Sequence, residues 1–151
     1  MAISTAAGSA LAISAGTPAT DNAAGYAALT YTEISNVETI GAIGSAFDVV
    51  TFQPLKGPMQ KLKGPVNYGS LGPTFAIDDA DAGQVLLRTA GDDTTNKLYA
   101  FQVTLPSGAK RQFGGRVFGN PETVDGAGSV LTAAPAIEIS TPIYKIAAPT
   151  T

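Results

Sequence analysis

Apolar and polar positions alternate in short runs from residue 29 onward. Val, Ile, Thr, Phe and Tyr gather in segments that Gly, Pro, Asn and Asp separate, and this pattern is typical of short strands joined by turns. Alternation is strongest in Tyr99 to Leu105, and Pro106 to Ala109 then turns the chain into a second strand, Lys110 to Phe118. These segments predict a β-hairpin. The apolar side of its first strand holds Tyr99, Phe101, Val103 and Leu105.

Five further segments have the composition of strands, and prolines interrupt two of them. Pro73 and Pro135 cannot donate to a strand ladder, so we expect a bend or a sheet edge at each. Gly114 and Gly115 predict a bulge in the strand Lys110 to Phe118. The five segments are Leu29 to Ile34, Ala46 to Phe52, Asn67 to Ile77, Val130 to Ile139 and Ile143 to Ile146.

One helix is predicted, from about Asp79 to Ala90. Asp78 or Asp79 can accept hydrogen bonds from the free amides of its first turn, and Gly91 suits its C-terminal end. Gly83 lowers helix propensity, so we expect another backbone to pass close to it. The side of the helix expected to pack on a sheet comprises Ala82, Val85, Leu86 and Thr89.

Two segments lack the pattern of either strands or helices. The first 28 residues are rich in Ala, Ser, Thr and Gly, and we interpret them as a weakly structured arm. Gln53 to Pro65 contains three prolines, two glycines and three lysines, which predicts a long loop that is either functional or disordered. The chain is therefore expected to comprise an N-terminal arm (1–28), one domain (29–146) and a short C-terminal tail (147–151).

Together these elements predict an α+β fold that is mostly β. The simplest arrangement is two packed antiparallel β-sheets, as a sandwich or an open barrel, with the helix near residues 79–90 on one flank. A chain of 151 residues is expected to form one such domain.

Composition excludes several classes of function. Only 14% of the residues are charged, and His, Cys and Trp are absent, which removes the usual general base, the thiolate nucleophile and the soft metal ligands. Carboxylates alone can hydrolyse a glycosidic bond, but none here lies among the aromatic residues that form sugar platforms. We predict no enzyme activity, no cofactor and no metal.

The charge balance and hydropathy bear on partners. The formal net charge is -3 and the sequence pI is about 4.7, which argues against a protein that grips nucleic acid by charge. No apolar run approaches the roughly 20 residues that a membrane helix needs. Residues 1–25 contain no Lys or Arg, unlike a secretory signal. We expect a soluble cytoplasmic product with no membrane partner.

The order of the sequence motifs resembles that of the major tail tube proteins of long-tailed, non-contractile (siphovirus-type) bacteriophages. The likeness spans roughly residues 10–140. Its sharpest feature is the helix start with Asp81, Gly83 and Gln84. The other matching stretches are Tyr31 to Val37, Ile40-Gly41, Phe47 to Val50, Pro54-Leu55, Asn67 to Leu71, Tyr99 to Leu105, Pro106 to Gly108 and Gly115 to Val117.

This resemblance implies a structural protein of the virion tail. Its copies would form rings of six, and the rings would stack around a tape-measure protein as a conduit for genomic DNA in transit, after assembly in the host cytoplasm. Tubes of contractile tails, of type VI secretion and of gene-transfer particles share this architecture, so the particle stays open. The alternative from another class is a stand-alone virion decoration or carbohydrate-binding module.

Two segments of opposite charge suggest how rings stack. Gln53 to Pro65 carries three lysines and no acid, whereas Asp78 to Asp93 carries five aspartates and one arginine. We hypothesise that the loop of one ring reaches the acidic helix end of the next. The inter-ring loop residues are Leu55, Lys56, Met59, Lys61 and Lys63, and the acidic helix end comprises Asp78, Asp79, Asp81, Asp92 and Asp93.

The wall of a DNA conduit is expected to be neutral to acidic, because Lys and Arg would bind the phosphates. The candidate lumen-facing residues are Glu33, Asp48 and Glu138, which lie on predicted strands whose alternate side chains point away from the core. For each of them, a solvated outer face is the alternative.

Overall fold

Thirteen strands and two helices form the part of the chain that the computed structural model describes, residues 3–149. Strands hold 39% of the residues and helices 11%, which confirms the predicted α+β fold that is mostly β. The strands are β1 (Ala10–Ser14), β2 (Thr32–Ile34), β3 (Val37–Thr39), β4 (Ala46–Phe52), β5 (Gln60–Asn67), β6 (Ser70–Leu71), β7 (Thr74–Ala76), β8 (Tyr99–Thr104), β9 (Lys110–Gly119), β10 (Glu122–Thr123), β11 (Thr132–Ala133), β12 (Ala136–Ile139) and β13 (Tyr144–Ile146). The helices are α1 (Ala23–Ala27) and α2 (Ala82–Asp92).

A seven-stranded antiparallel sheet, sheet A, forms the body of the fold. Its strand order is β2-β1-β8-β9-β12-β6, and β13 also pairs with β9. The predicted hairpin is confirmed, because β8 and β9 pair in continuous register from Tyr99 opposite Gly115 to Thr104 opposite Lys110. The predicted bulge at Gly114-Gly115 is wrong, since the register of β9 shifts further along, between its pairs with Ala136 and Ile137 of β12.

Strand β1 lies inside sheet A, between β2 and β8. Leu11 and Ile13 are fully buried, and Ala10–Ser14 pairs with both neighbouring strands. The prediction of a weakly structured arm is therefore wrong for this segment, which also includes the short helix α1. Two large aliphatic residues cannot form a core of their own, but here the rest of sheet A supplies it.

A second sheet, sheet B, packs against sheet A and has the order β10-β11-β7-β3. Phe75 of β7 and Ala133 of β11 join the hydrophobic core formed mainly by sheet A. Helix α2 contributes Leu87 and Ala90 to the same core. The predicted arrangement of packed antiparallel sheets with a flanking helix is thus present, with α2 as that helix.

The chain passes between the two sheets at prolines. Strands β6 and β7 belong to sheets A and B, and Pro73 lies between them; strands β11 and β12 belong to sheets B and A, and Pro135 lies between them. Both prolines are fully buried. The predicted bends are confirmed, and each of these predicted strands is in fact two strands in two layers.

Helix α2 differs from its prediction in its ends and its buried face. It begins at Ala82 with Asp81 as N-cap and ends at Asp92, so Gly91 lies inside the helix. Of the side expected to pack on a sheet, only Leu86 is even half-buried. The buried residues are Gly83, Gln84, Leu87 and Ala90. The spacing of aliphatic residues predicted the wrong buried face because α2 packs against the body partly through Gly83 and Gln84, and neither residue is aliphatic.

The predicted loop Gln53 to Pro65 is shorter than expected. Strand β5 begins at Gln60, so only residues 53–59 connect β4 to β5. These two strands form a third, two-stranded sheet. Residues 60–65 of the predicted loop therefore belong to a strand of a β-hairpin, which we call the β4–β5 hairpin (residues 46–67).

Candidate assembly interface

The β4–β5 hairpin is the most exposed secondary structure in residues 3–149. Every residue of β4 is exposed, and β5 is exposed except at Gly64, which is half-buried. Within the described chain, β4 and β5 pair only with each other. The exposed large apolar side chains are Phe47, Val49, Val50, Phe52, Leu55, Met59, Leu62 and Val66. A two-stranded hairpin is marginally stable alone in water, and an apolar surface of this kind marks an interaction site.

The two faces of the hairpin differ in chemistry. Directly opposite residues share a face, and Val50 lies opposite Leu62, with Phe52 one step further along the same side of β4. These three form what we call the apolar face, with exposed fractions of 46%, 58% and 61% respectively, and the same side of the hairpin also carries Asp48 and Gln60. The other side, the lysine face, holds Phe47, Val49, Thr51, Lys61, Lys63 and Val66.

The lysines of the hairpin are exposed and lie near apolar side chains. Lys63 Nζ lies 4.9 Å from the centre of the Phe47 ring, a cation–π arrangement. Lys61 lies on the same face, and Lys56 is at the connection with Leu55. All five residues predicted for inter-ring contact, including Met59, are exposed side chains of this hairpin.

The five aspartates predicted as one acidic helix end lie in two groups. Asp78, Asp79 and Asp81 precede α2, whereas Asp92 and Asp93 end it. Asp81 and Asp92 lie eleven positions apart, about 16 Å along the helix axis. Asp79 pairs with Arg88 at 3.1 Å, and Asp93 accepts hydrogen bonds from Thr95 and from the Tyr99 hydroxyl.

Asp81 has a structural task at the start of α2. Its carboxylate accepts hydrogen bonds from Ser35 Oγ at 2.7 Å, from Ser35 N at 3.2 Å and from Gln84 N at 3.0 Å. Burial raises the pKa of Asp81, but these hydrogen bonds together outweigh burial and hold the pKa below its usual value. The carboxylate thereby joins α2 to the turn between β2 and β3.

Gln84 is the second residue of this junction, and it entered the sequence analysis only through the resemblance, without a structural role. Its side chain is fully buried; Oε1 accepts from Asp78 N at 2.8 Å, and Nε2 donates to Ser35 O at 3.0 Å and to Ala76 O at 2.9 Å. The spacing of Asp81 and Gln84 is that of a capping box, which could have indicated this role.

Gly83 completes the junction and confirms its predicted close approach. A Cβ atom at Gly83 would overlap the carbonyl oxygen of Glu33. The three residues that carried the sequence resemblance most sharply therefore hold α2 against β2 and the following turn.

Two of the three candidate lumen-facing acids lie on one face of sheet A. Glu33 and Glu138 are exposed, and they project from the side of the sheet away from the core. The strand pairs that link them run through Ala12, Gln102, Gln112 and Arg116. Asp48 is exposed in the β4–β5 hairpin instead.

Helix α1 covers part of this face of sheet A. Tyr26 is buried and stacks on Tyr144, with ring centres 5.2 Å apart. Gly114 of β9 leaves the space that the Tyr26 hydroxyl occupies. Any surface that Glu33 and Glu138 form together is therefore divided by α1.

A groove of about 580 Å³ opens between the N-terminal segment and β3. Residues 6–9 and 37–41, together with Ile43, Val103 and Leu105, form its walls. Glu38 is the only charged residue among these walls in the described chain. Its segments are far apart in sequence, so no local pattern predicts the groove.

Residues 3–149 contain neither a cluster of potential metal ligands nor a helix that could span a membrane. Those residues contain no group of three or more Asp, Glu, His or Cys side chains placed to hold a metal ion. No helix among them is long and apolar enough to cross a membrane.

Solved structures share this fold, although no protein-family model and no curated protein matches the chain. A chain in the cryo-EM structure of the sheath/tube terminator of an extracellular contractile injection system (PVC), in the extended state, matches with a TM-score of 0.72 and 6% identity, over 97% of this chain and 99% of that one. This chain therefore shares its fold with a chain of a contractile injection system.

Two further matches agree. A chain of the anti-feeding prophage (AFP) baseplate matches with a TM-score of 0.70 and 11% identity, covering 99% of this chain and 98% of that one. A chain of the PVC sheath–tube complex in the extended state matches with a TM-score of 0.66 and 7% identity, covering 92% and 88%. At these identities the likeness concerns the fold, and it extends over nearly the whole of each chain.

Proposed function

We propose that this protein is a structural, non-enzymatic subunit that assembles with its own copies into the rings of a tail tube. The observation that carries the proposal is the exposed β4–β5 hairpin, whose large apolar side chains are not buried by the rest of the described chain. It projects from a body with the fold of chains found in tube, sheath and baseplate assemblies. Burial between copies would stabilise it.

The particle is the tail of a phage or a related phage-tail-like machine. The sequence resemblance points to non-contractile phages, whereas the matching solved structures come from contractile systems. The tube is the part that both have in common, and we assign the protein to it. Rings of six, a tape-measure protein inside, later passage of DNA, and assembly in the host cytoplasm belong to this proposal.

Contact between rings is proposed to involve the hairpin lysines and the aspartates beside α2. Lys56, Lys61 and Lys63 are exposed, so they are free to approach the acids of a neighbouring ring, and such pairs mainly speed encounter and set register. Changing all three lysines to Gln should slow tube growth at low salt, measured by light scattering. Growth at the wild-type rate would exclude this electrostatic contact.

Electron microscopy of the purified protein tests the main proposal. Negative-stain images over a range of concentrations should show rings and stacked tubes. Featureless monomers at every concentration would contradict it and favour a stand-alone decoration or carbohydrate-binding module. Rotational averaging of end-on rings gives the number of subunits.

A further inference from the structure

We propose that the groove between residues 6–9 and β3 is the acceptor for the apolar face of the β4–β5 hairpin of a second copy. This inference rests on the proposed function and names the contact that joins neighbouring subunits. The donor surface is Val50, Phe52 and Leu62, and the acceptor surface is the groove wall that includes Val37, Ile40 and Ile43.

The donor face lacks any cover within residues 3–149. Val50, Leu62 and Phe52 are about half exposed or more, and they stand side by side on one side of a rigid two-stranded ladder. The acceptor is concave and its walls are mainly small or aliphatic side chains. A ridge of three apolar side chains and an apolar groove are complementary in shape and polarity.

The hairpin does not fill the groove of its own chain. Strand β4 begins at Ala46, three residues after the groove residue Ile43. Phe52 is six residues further along an extended strand, about 20 Å from Ala46. Val50, Phe52 and Leu62 stay exposed and are not among the residues that line the groove of their own chain, so we assign the contact to another copy.

Charge also favours a second copy. The hairpin carries Lys56, Lys61 and Lys63 against the single acid Asp48. The groove carries one acid, Glu38, and no cation among its described walls. The hairpin as a whole is therefore positive, which favours its encounter with the acidic groove at long range; Lys61 and Lys63 lie on the other face and do not enter the seated contact.

Such a contact determines the kind of assembly. Donor and acceptor are different surfaces of one chain, so the contact is heterologous, and heterologous contacts give closed rings or open filaments rather than two-fold dimers. A ring follows if the rotation between neighbours closes. One contact of this kind, repeated between copies, would be enough to build such a ring without a second type of subunit.

Two variants separate the donor from the acceptor. The donor variant is Val50→Ser/Phe52→Ser/Leu62→Ser, and the acceptor variant is Ala7→Phe/Thr39→Arg, which blocks the groove from two exposed positions. Each should remain folded by circular dichroism, because none of these side chains is buried. Each alone should be monomeric, with the concentration needed for assembly raised at least about a hundredfold.

Mixing the two variants is the decisive measurement. The intact hairpin of the acceptor variant should bind the intact groove of the donor variant and give a 1:1 complex in sedimentation velocity, about twice the 15.2 kDa of one chain. That complex cannot grow, since each free end lacks its partner surface. Val49→Ser, on the lysine face, is the matched control and should leave the complex intact when added to the acceptor variant.

Three results would overturn the inference. They are assembly of the donor variant at wild-type concentrations, assembly of the acceptor variant at those concentrations, and a mixture that stays monomeric while wild-type protein forms tubes. In the last case the proposed function stands and the hairpin binds elsewhere, for example to a different tail protein. Failure of wild-type protein to form rings or tubes at all would contradict the proposed function itself.

Discussion

Individual residues at the start of α2 connect sequence to fold most directly. Asp81, Gly83 and Gln84 satisfy or accommodate backbone groups of β2, of the turn after it and of the end of β7. Buried backbone groups left without partners are costly. These three positions therefore determine whether the helix can dock at all.

Two glycines of the same helix should respond oppositely to alanine. Gly83→Ala places a Cβ atom on the Glu33 carbonyl oxygen, so we expect a loss of about 2 kcal/mol or more of unfolding free energy. Gly91→Ala meets only ordinary contacts with Val117 and Asn120 and gains helix propensity, about 0.5 kcal/mol. Denaturant unfolding of both variants measures this. Equal effects would contradict the close packing at Gly83.

Asp81 should make stability depend on pH in the acid range. Because its pKa is lowered in the folded chain, its contribution is fully present above the unfolded value, near 4, and is lost as pH falls through the folded pKa. Asp81→Asn keeps a capping side chain but removes the charge. Its deficit in unfolding free energy at pH 7, about 1 kcal/mol, should disappear at the lowest pH.

Ser35, whose hydroxyl donates a hydrogen bond to Asp81, provides the control for the pH dependence of the Asp81→Asn variant. In a Ser35→Ala background the hydroxyl that donates to Asp81 is absent, so the same Asp81→Asn change should cost less at pH 7. A deficit that is independent of pH, or unchanged in that background, would show that the charge of Asp81 does not stabilise the junction.

At the scale of elements, the body and the β4–β5 hairpin have separate tasks. The body buries its apolar residues between sheet A, sheet B and α2. The hairpin contributes none of the buried core residues. Its exposed positions hold apolar residues, whereas a hairpin that stays in solvent would hold polar ones there. This departure from the usual pattern is expected of an element that becomes buried in an interface.

Removing the hairpin should leave a folded monomer. Ala46 and Asn67 lie directly opposite each other, so an Asn-Gly turn can replace residues 47–66. We expect the unfolding free energy to change by less than about 1 kcal/mol, because no core residue is lost. Electron microscopy should show neither rings nor tubes. Loss of folding would mean that the hairpin supports the body, and normal tubes would remove it from the interface.

At the scale of the whole molecule, stability and assembly should be linked. Any contact made only by the folded chain raises its apparent stability by mass action. The β4–β5 hairpin should contribute most to this effect because it carries most of the exposed large apolar side chains. The Tm from calorimetry should therefore rise with protein concentration in wild-type samples and stay constant for the chain without the hairpin. Equal Tm values for assembled and monomeric wild-type protein would contradict this linkage.

If copies of the protein form the proposed tube, the charge of its bore should affect the passage of DNA. Glu33 and Glu138 share one exposed face of sheet A, and Asp48 lies in the hairpin. Changing these acids singly to Lys should leave tubes intact, while any position that lines the bore should slow DNA ejection because a cation retains phosphate. The same change at exposed Glu122 is the control. Normal ejection from tubes with Lys at all three positions would show that they do not line the channel or that its charge has no effect.

The sequence by itself determined the features that depend on neighbours along the chain. Alternation placed the β8–β9 hairpin and strand β4, prolines marked the two bends, and a glycine marked the close approach at α2. Each follows from backbone restrictions or from the two-residue period of a strand, and these act within a few residues.

Only the tertiary structure decided which residues of distant segments meet. It placed β1 inside sheet A, gave α2 a buried face built on Gly83 and Gln84, and formed the groove from three separate segments. Leu11 and Ile13 are too few to predict a buried strand, because their burial depends on β2 and β8 on either side. The exposure of the β4–β5 hairpin also depends on tertiary structure, because neither sheet A nor sheet B pairs with it. The sequence of a strand does not show which element will cover it.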